Sequence, residues 1–238
     1  MLFGRKKKPS ENPKPKKGFV REWVEAILVA LVIALVLRTF VVQAFKIPSS
    51  SMEDTLLIGD HLLVNKFIYG TKIPFVDGRF LQIREPERGD VIVFEFPADT
   101  KDERLAFWQK RDFIKRVIGL PGDTVEMRDK TVYVNGKEYR IDQEVHKDAS
   151  LRGRCFEIGD WRKRMRIPSS LERDCMLPTT VPEGHYLVLG DNRDRSHDSR
   201  FWGFVPMENI KGLAFIKYWS WDSQKTWPRF SRIGRLIE

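Results

Sequence analysis

The stretch Thr131-Val132-Tyr133-Val134-Asn135-Gly136-Lys137-Glu138-Tyr139 decides the fold class. Four residues that favour strands run into Asn-Gly, the pair preferred at the two positive-φ positions of a type I′ turn, and the chain then returns as a partner strand. Outward from this hairpin the same signature recurs, short apolar runs closed by Gly, Pro, Asn or Asp. Asp90-Val91-Ile92-Val93-Phe94-Glu95-Phe96 lies between Gly89 and Pro97, and Tyr186-Leu187-Val188-Leu189 and Leu213-Ala214-Phe215-Ile216-Lys217-Tyr218 read as further strands. No helical periodicity of comparable length occurs after Lys46, and no repeat of fixed period is present, which argues against helical bundles and solenoids. The expectation is a mainly β domain of antiparallel sheet over residues 46–238. A charged, weakly patterned stretch near 147–178 reads as a loop-rich insertion.

Before that domain the character of the chain changes. Of its 238 residues, with a net charge of +9, the first 18 hold Arg5-Lys6-Lys7-Lys8, Lys14, Lys16 and Lys17 among Pro9, Pro13 and Pro15. Such a segment builds no core and is expected to be disordered. An apolar stretch, residues 19–45, follows at once. Its uncharged centre, Ala26 to Leu37, is shorter than the roughly 20 residues a membrane span needs, but Trp23-Val24 and Thr39-Phe40-Val41-Val42 extend it, and Arg38 near its end is placed to snorkel. The basic flank then marks the cytoplasmic side of a single transmembrane helix rather than a nucleic-acid site. Val42-Gln43-Ala44 has the spacing of a signal-peptide cleavage site, yet Glu22, Glu25 and Arg38 interrupt the compact apolar region such a signal requires. A buried soluble helix is the third reading.

Only two cysteines occur, Cys155 and Cys175. Neither belongs to a C-x-x-C pair or stands beside a metal-binding His, so a metal site is not expected. In an extracytoplasmic domain they are candidates for a disulfide; two separate buried thiols fit the sequence nearly as well.

Three segments carry chemistry: Ile47-Pro48-Ser49-Ser50-Ser51-Met52, Phe113-Ile114-Lys115-Arg116, and Gly190-Asp191-Asn192-Arg193-Asp194-Arg195-Ser196-His197-Asp198-Ser199-Arg200. Each alone has a bland explanation as linker, surface charge or turn. In this order and just outside an apolar anchor, they resemble bacterial signal peptidase I over nearly the whole chain, from the anchor to Gly203-Phe204-Val205-Pro206. Pro48, Ser49, Ser51, Met52, Thr55 and Leu56 match that family's nucleophile pattern. Lys115-Arg116 with Gly119-Leu120-Pro121-Gly122-Asp123 match its base segment, and the third segment matches its Gly-Asp-Asn box. Ser50, Asp54 and Arg195 depart from the usual Gly, Pro and Asn.

The resemblance implies a membrane-bound serine endopeptidase that removes signal peptides from exported preproteins through an acyl-enzyme. Ser51 inherits the nucleophile's role and Lys115 the general base's, a role open to a lysine only when an apolar setting keeps its amine neutral. Ser196 inherits the orienting hydrogen bond to Lys115, with Asp198 and Arg200 in support. The Ser51 N–H and the Ser49 hydroxyl become oxyanion donors. Ile47, Leu56 and Ile114 match the lining of shallow pockets for Ala-x-Ala sites, and ordinary core packing explains them equally. The resemblance further implies no metal or organic cofactor, preprotein signal peptides and the lipid bilayer as partners, and no nucleic acid. It places the protein in the bacterial cytoplasmic membrane as a single-pass protein, with the amino terminus inside and the catalytic domain outside.

Three rival readings compete with this one. A Ser/His/Asp hydrolase draws on His197-Asp198 and nearby His185, but the chain has no Gly-x-Ser-x-Gly elbow. A membrane-tethered β domain that binds a partner without catalysis explains the anchor and strands but not the setting of Lys115. Self-cleaving Ser/Lys repressors lack an anchor. Trp219, Trp221, Trp227 and Phe230, among Lys225, Arg229, Arg232 and Arg235, read either as an interfacial membrane contact or as core aromatics beside solvated charges.

Overall fold

The computed structural model describes residues 19–36, 41–72, 78–80, 82–98, 109–148 and 173–238. Among them Phe19–Val36 forms helix α1. It is about 27 Å long at 1.5 Å per residue and carries Arg21, Glu22 and Glu25 in its first two turns. From Ala26 onward it is uninterruptedly apolar. No helix of the described residues is long and apolar enough to cross a membrane. The expected span reached residue 45, but residues 37–40 lie outside the described residues and Val42–Lys46 is a strand. The basic segment 1–18 also lies outside them.

Phe40–Glu238 forms one compact unit, and the mainly β expectation holds for it. In chain order the strands are β1 (Val42–Lys46), β2 (Asp60–Asn65), β3 (Thr71–Lys72), β4 (Arg79–Phe80), β5 (Val91–Glu95), β6 (Asp112–Gly119) and β7 (Thr124–Arg128), then β8 (Thr131–Val134), β9 (Lys137–Glu138), β10 (Met176–Thr180), β11 (His185–Leu189), β12 (Val205–Pro206), β13 (Ile210–Asp222) and β14 (Trp227–Pro228). The large sheet runs β1-β2-β13-β5-β6-β11-β12, with β14 on β13; a second sheet runs β10-β7-β8-β9, and β3 pairs with β4. All of these pairings are antiparallel.

The Asn-Gly hairpin forms as its turn chemistry requires. Asn135 and Gly136 both have positive φ, 51° and 77°, and Val134 faces Lys137 across the turn. The Asn135 amide also donates to Asp123 Oδ1 at 2.7 Å, which fixes the hairpin to the preceding turn. The insertion read near 147–178 is shorter at its end than expected, because Met176–Thr180 is strand β10 against β7. Pro178 is tolerated there because the register shifts between Met176 and Thr179 on an edge strand.

Three apolar clusters fill the unit. Ile47, Met52, Leu56, Leu62, Val64, Val91, Val93 and Ala214 form the one under the β1–β2 connection, with Ile114 packed against it. Ile92, Phe94, Val117 and Val188 centre the second, with Phe113 and Trp202 at its side. The third, around Ile118, Val125, Met127, Val132 and Leu187, joins the two larger sheets. Burial at this density is what lets charged side chains be held out of water near the first cluster.

Candidate active site

Strand β6 is the spine of the site. Phe96 N–H donates to the Arg111 carbonyl and Val117 N–H to the Asp90 carbonyl, both at 2.9 Å. Odd-numbered residues of β6 therefore turn their backbone groups to β5, and Asp112 and Ile114 turn theirs away. On that far side β11 pairs only with Arg116 to Gly119, so Asp112 to Ile114 form an open strand edge among the described residues. Side chains alternate along the strand as well, which sends Lys115 and Arg116 to opposite faces.

Lys115 is 4% exposed. Its Nζ lies 2.7 Å from Ser51 Oγ and 2.9 Å from the Ile114 carbonyl. Burial pushes its amine down to about 8 from the usual 10.5; the charges of Asp198 and Asp191 pull it part of the way back up. No carboxylate touches Nζ among the described contacts, so desolvation wins. Ser51 itself is 6% exposed. It sits on a tight turn in which Leu56 N–H donates to the Met52 carbonyl at 2.6 Å and Glu53 N–H to the Ser50 carbonyl at 3.1 Å. Asp54 takes φ 78° in this turn, a left-handed conformation that a proline at this place would not reach.

The Gly-Asp-Asn box grips the turn from the other side. Asn192 N–H donates to the Ser51 carbonyl at 3.1 Å, and its side-chain amide donates to the Ser50 carbonyl and to Glu53 at 3.2 and 3.1 Å. Gly190 makes the approach close: a Cβ there would lie 2.2 Å from Ser196 Oγ and 2.5 Å from the Ser51 carbonyl oxygen. Ser49 Oγ is 3.4 Å from Ser51 Oγ, and the Ser51 N–H has no acceptor among the described residues. Two donors thus border the nucleophilic oxygen with capacity to spare.

Ser196 does not make the hydrogen bond expected of it. Its Oγ makes no well-formed hydrogen bond and lies on the Asp198 side, where it helps to hold that carboxylate charged, while the Lys115 amine is satisfied by Ser51 and Ile114. Asp198 and Arg200 do form a pair, Nε to Oδ1 and Nη2 to Oδ2 both at 2.8 Å, and Asp198 Oδ2 also accepts from Gly190 N–H at 3.0 Å. Complete burial would push the Asp198 carboxyl up, but the Arg200 charge and these hydrogen bonds hold it below the ordinary carboxylate range. Arg200 in turn donates to the carbonyls of Arg173 and Arg193.

A second buried pair, Arg116 with Asp191, lies beside the first. Arg116 Nε and Nη2 donate to both oxygens of Asp191 at 2.8 and 2.7 Å, and Thr55 Oγ1 donates to Asp191 Oδ2 at 2.6 Å. Nucleophile turn, β6 and box therefore meet at one carboxylate. The sequence signal for this pair is the strand alternation of Lys115 and Arg116, which leaves the arginine needing its own counter-charge once β6 is buried.

Ile47 and Leu56 are 2% and 0% exposed and pack together with half-buried Ile114. No histidine hydrogen-bonds to Ser51 among the described residues: His185 meets the Glu183 carbonyl, His146 meets Glu144, and His197 stacks on Phe201. Cys175 is disulfide-bonded; Cys155 lies outside the described residues.

Chemically, a serine hydroxyl against a buried, partner-poor amine, with spare N–H and O–H donors alongside, can support acyl transfer. The sequence profile of the signal peptidase, peptidase S26 family matches residues 20–219. A signal peptidase I of Pseudomonas aeruginosa is 39% identical over 236 residues, covering 92% of this chain and 80% of its own length. One from Aquifex aeolicus is 37% identical and covers 84% of each chain. The crystal structure of a signal peptidase I from Enterococcus faecalis V583 is 34% identical over 55% of this chain and 97% of its own, with a TM-score of 0.34.

Proposed function

The chain belongs to the signal peptidase S26 family, and on that premise we propose that it cuts signal peptides from preproteins with Ser51 as nucleophile and Lys115 as general base. The observation that carries this reading is the 2.7 Å contact between Lys115 Nζ and Ser51 Oγ, made by an amine that burial pushes down to about 8. In its neutral form that amine accepts the Ser51 proton as Oγ bonds to the scissile carbonyl carbon. The developing oxyanion takes hydrogen bonds from Ser51 N–H and Ser49 Oγ. As the C–N bond breaks, Lys115 returns the proton to the leaving amine. Water, deprotonated by the same lysine, then releases the acyl group from Ser51.

An extended substrate strand adds to the edge at Asp112 to Ile114, which no neighbouring strand covers among the described residues and of whose carbonyls that of Ile114 already accepts from Lys115. Ile47, Leu56 and Ile114 lie tightly packed around that edge, which favours small side chains at the first and third positions before the cut. Asp198, Arg200 and Ser196 hold the box against the turn. The uninterrupted apolar run of α1 from Ala26, following the basic residues 5–17, supports tethering to the cytoplasmic membrane with the amino terminus inside. No metal or organic cofactor takes part. The sequence offers Cys175 one partner, Cys155.

The test is cleavage of a purified preprotein carrying an Ala-x-Ala site by the detergent-solubilised full chain and by its Lys115→Ala variant, with the new amino terminus sequenced. Cutting after the final Ala by the wild type alone is expected. Equal cutting by the variant would remove Lys115 from the mechanism, and cutting by neither would leave a tethered β domain that binds without catalysis.

A further inference from the structure

A continuous line of rings leads from the base to the surface. The Lys115 amine lies 5.6 Å from the centroid of the Phe113 ring. Phe113 stacks on Phe96 at 4.7 Å, Phe96 meets His197 at 6.5 Å, and His197 stacks on Phe201 at 5.3 Å. The Arg111 guanidinium lies 4.8 Å over Phe96. The line runs from half-buried Phe113 through Phe96, 7% exposed, and ends open, with Phe201 at 37% and His197 and Arg111 exposed. The position of the base says what would lie across the line's open end.

Two constraints select it. First, Lys115 must hand its proton to the amine that departs, so the nitrogen of the first mature residue has to come within hydrogen-bond reach of Nζ. Second, strand alternation on β6 separates Phe113 and Lys115 from Ile114. Ile114 packs with Ile47 and Leu56, on the side given to the residues before the cut. The residues after the cut therefore leave across the other face, which begins at Phe113 and continues to Phe96, His197 and Phe201.

Resting on the Ser51/Lys115 reading above, we propose that the Phe113–Phe96–His197–Phe201 terrace is a subsite for the first residues of the mature chain, one that favours an aromatic or large apolar side chain within its first two positions. The ring faces of His197 and Phe201 offer stacking geometry, and such contacts are worth about 0.5–1.5 kcal/mol each beyond the area they bury. A preference of about fivefold to tenfold in kcat/KM follows, since 1.4 kcal/mol is a factor of ten.

The experiment uses the full chain in detergent and two peptides, identical through an Ala-x-Ala site, whose mature part begins Ala-Phe in one and Ala-Gly in the other. Wild type is expected to favour the Phe peptide about fivefold or more, Phe201→Ala to bring the ratio close to one, and Phe201→Tyr, which keeps a ring, to retain it. Equal rates for the two peptides with wild type, or an unchanged ratio in a folded Phe201→Ala protein, would overturn the terrace. Failure of wild type to cut either peptide would instead overturn the peptidase assignment on which it rests. His197→Ala provides a second check: it should lower the ratio partway, and an unchanged ratio would count against the terrace.

Discussion

Lys115 and Arg116 are neighbours on one strand and both are buried, at 4% and 2% exposure, yet the fold treats their charges in opposite ways. Arg116 receives a bidentate carboxylate from Asp191, further braced by Thr55. Lys115 receives a hydroxyl and a carbonyl and no carboxylate contact. Burial without a counter-ion pushes the amine towards neutrality, whereas the guanidinium is met by a matched carboxylate fork. One region is built to lose a proton readily and the other to hold two segments together through a buried ion pair. The arginine pair's service to the first region is positional, because Asp191 precedes Asn192, whose N–H holds the Ser51 carbonyl.

The sharpest break of that comparison is to delete each side of the dyad. Ser51→Ala and Lys115→Met are each expected to lower kcat/KM by about 10⁴-fold or more. Stability should not follow. A folded lysine near 8 against the usual 10.5 means the unfolded chain binds the extra proton between those values. Stability therefore rises with pH across that window, and below it the buried ammonium costs its full amount. At pH 7 a Lys115→Met protein should melt at or above the wild-type temperature; a clear drop would mean that the amine is paired after all.

Breaking the other region should give the reverse pattern. Arg116→Met strands the Asp191 carboxylate in the interior, which typically costs about 3–5 kcal/mol, and activity should fall with stability because the box no longer grips the Ser51 turn. Replacing both partners, Arg116→Met with Asp191→Leu, should recover much of the stability in urea titration. Little recovery would show that Thr55 and the Gly89 carbonyl, which also accepts from Arg116, depend on the charge itself. A smaller effect is expected from Gly190→Ala. Its added methyl meets Ser196 Oγ, which can turn aside, and the Ser51 carbonyl at 2.5 Å, which cannot. A displacement of under an ångström is enough to lower kcat about 10²-fold with only a modest change in melting temperature.

How much of this was legible beforehand differs by element. The hairpin at Asn135-Gly136 was readable because its turn chemistry is local, and the apolar run of β5 because flanking Gly and Pro bound it. Strand β6 was less so. Lys115 and Arg116 interrupt its apolar pattern, and what satisfies them, Ser51 and Asp191, lies 64 and 75 residues away in the chain. Strand β1 was absorbed into the apolar anchor, since Val42 and Phe45 look alike whether they face lipid or a sheet. The resemblance named Ser51, Lys115 and the Asp198–Arg200 box residue by residue. It did not foretell a Ser196 hydroxyl turned to the Asp198 side and away from Lys115, nor the left-handed Asp54 that takes the place of a family proline, because both depend on ångström-scale crowding around Gly190 and the Ser51 turn. The aromatic line to Phe201 was invisible for a similar reason: its rings come from three separate segments.

The finest test asks whether the other buried pair, Asp198 and Arg200, reaches the unpaired Lys115 amine through space. For the wild type, kcat/KM should climb about tenfold per pH unit below 8 and level off above it, because only the neutral amine accepts the Ser51 proton. The Asp198 charge raises the Lys115 amine while the Arg200 charge lowers it. Asp198→Asn removes the first and leaves the second uncompensated, so both changes favour the neutral amine. The rising limb should therefore move to lower pH, by less than about one pH unit given the screening expected of non-contacting charges, even as the maximal rate falls because Arg200 has lost its partner. A purely structural role for Asp198 predicts the lower rate with the limb unmoved. A limb displaced to higher pH would mean that loosening the box admits water to Lys115 and restores its charge, in which case burial and pairing in this site are one property and not two.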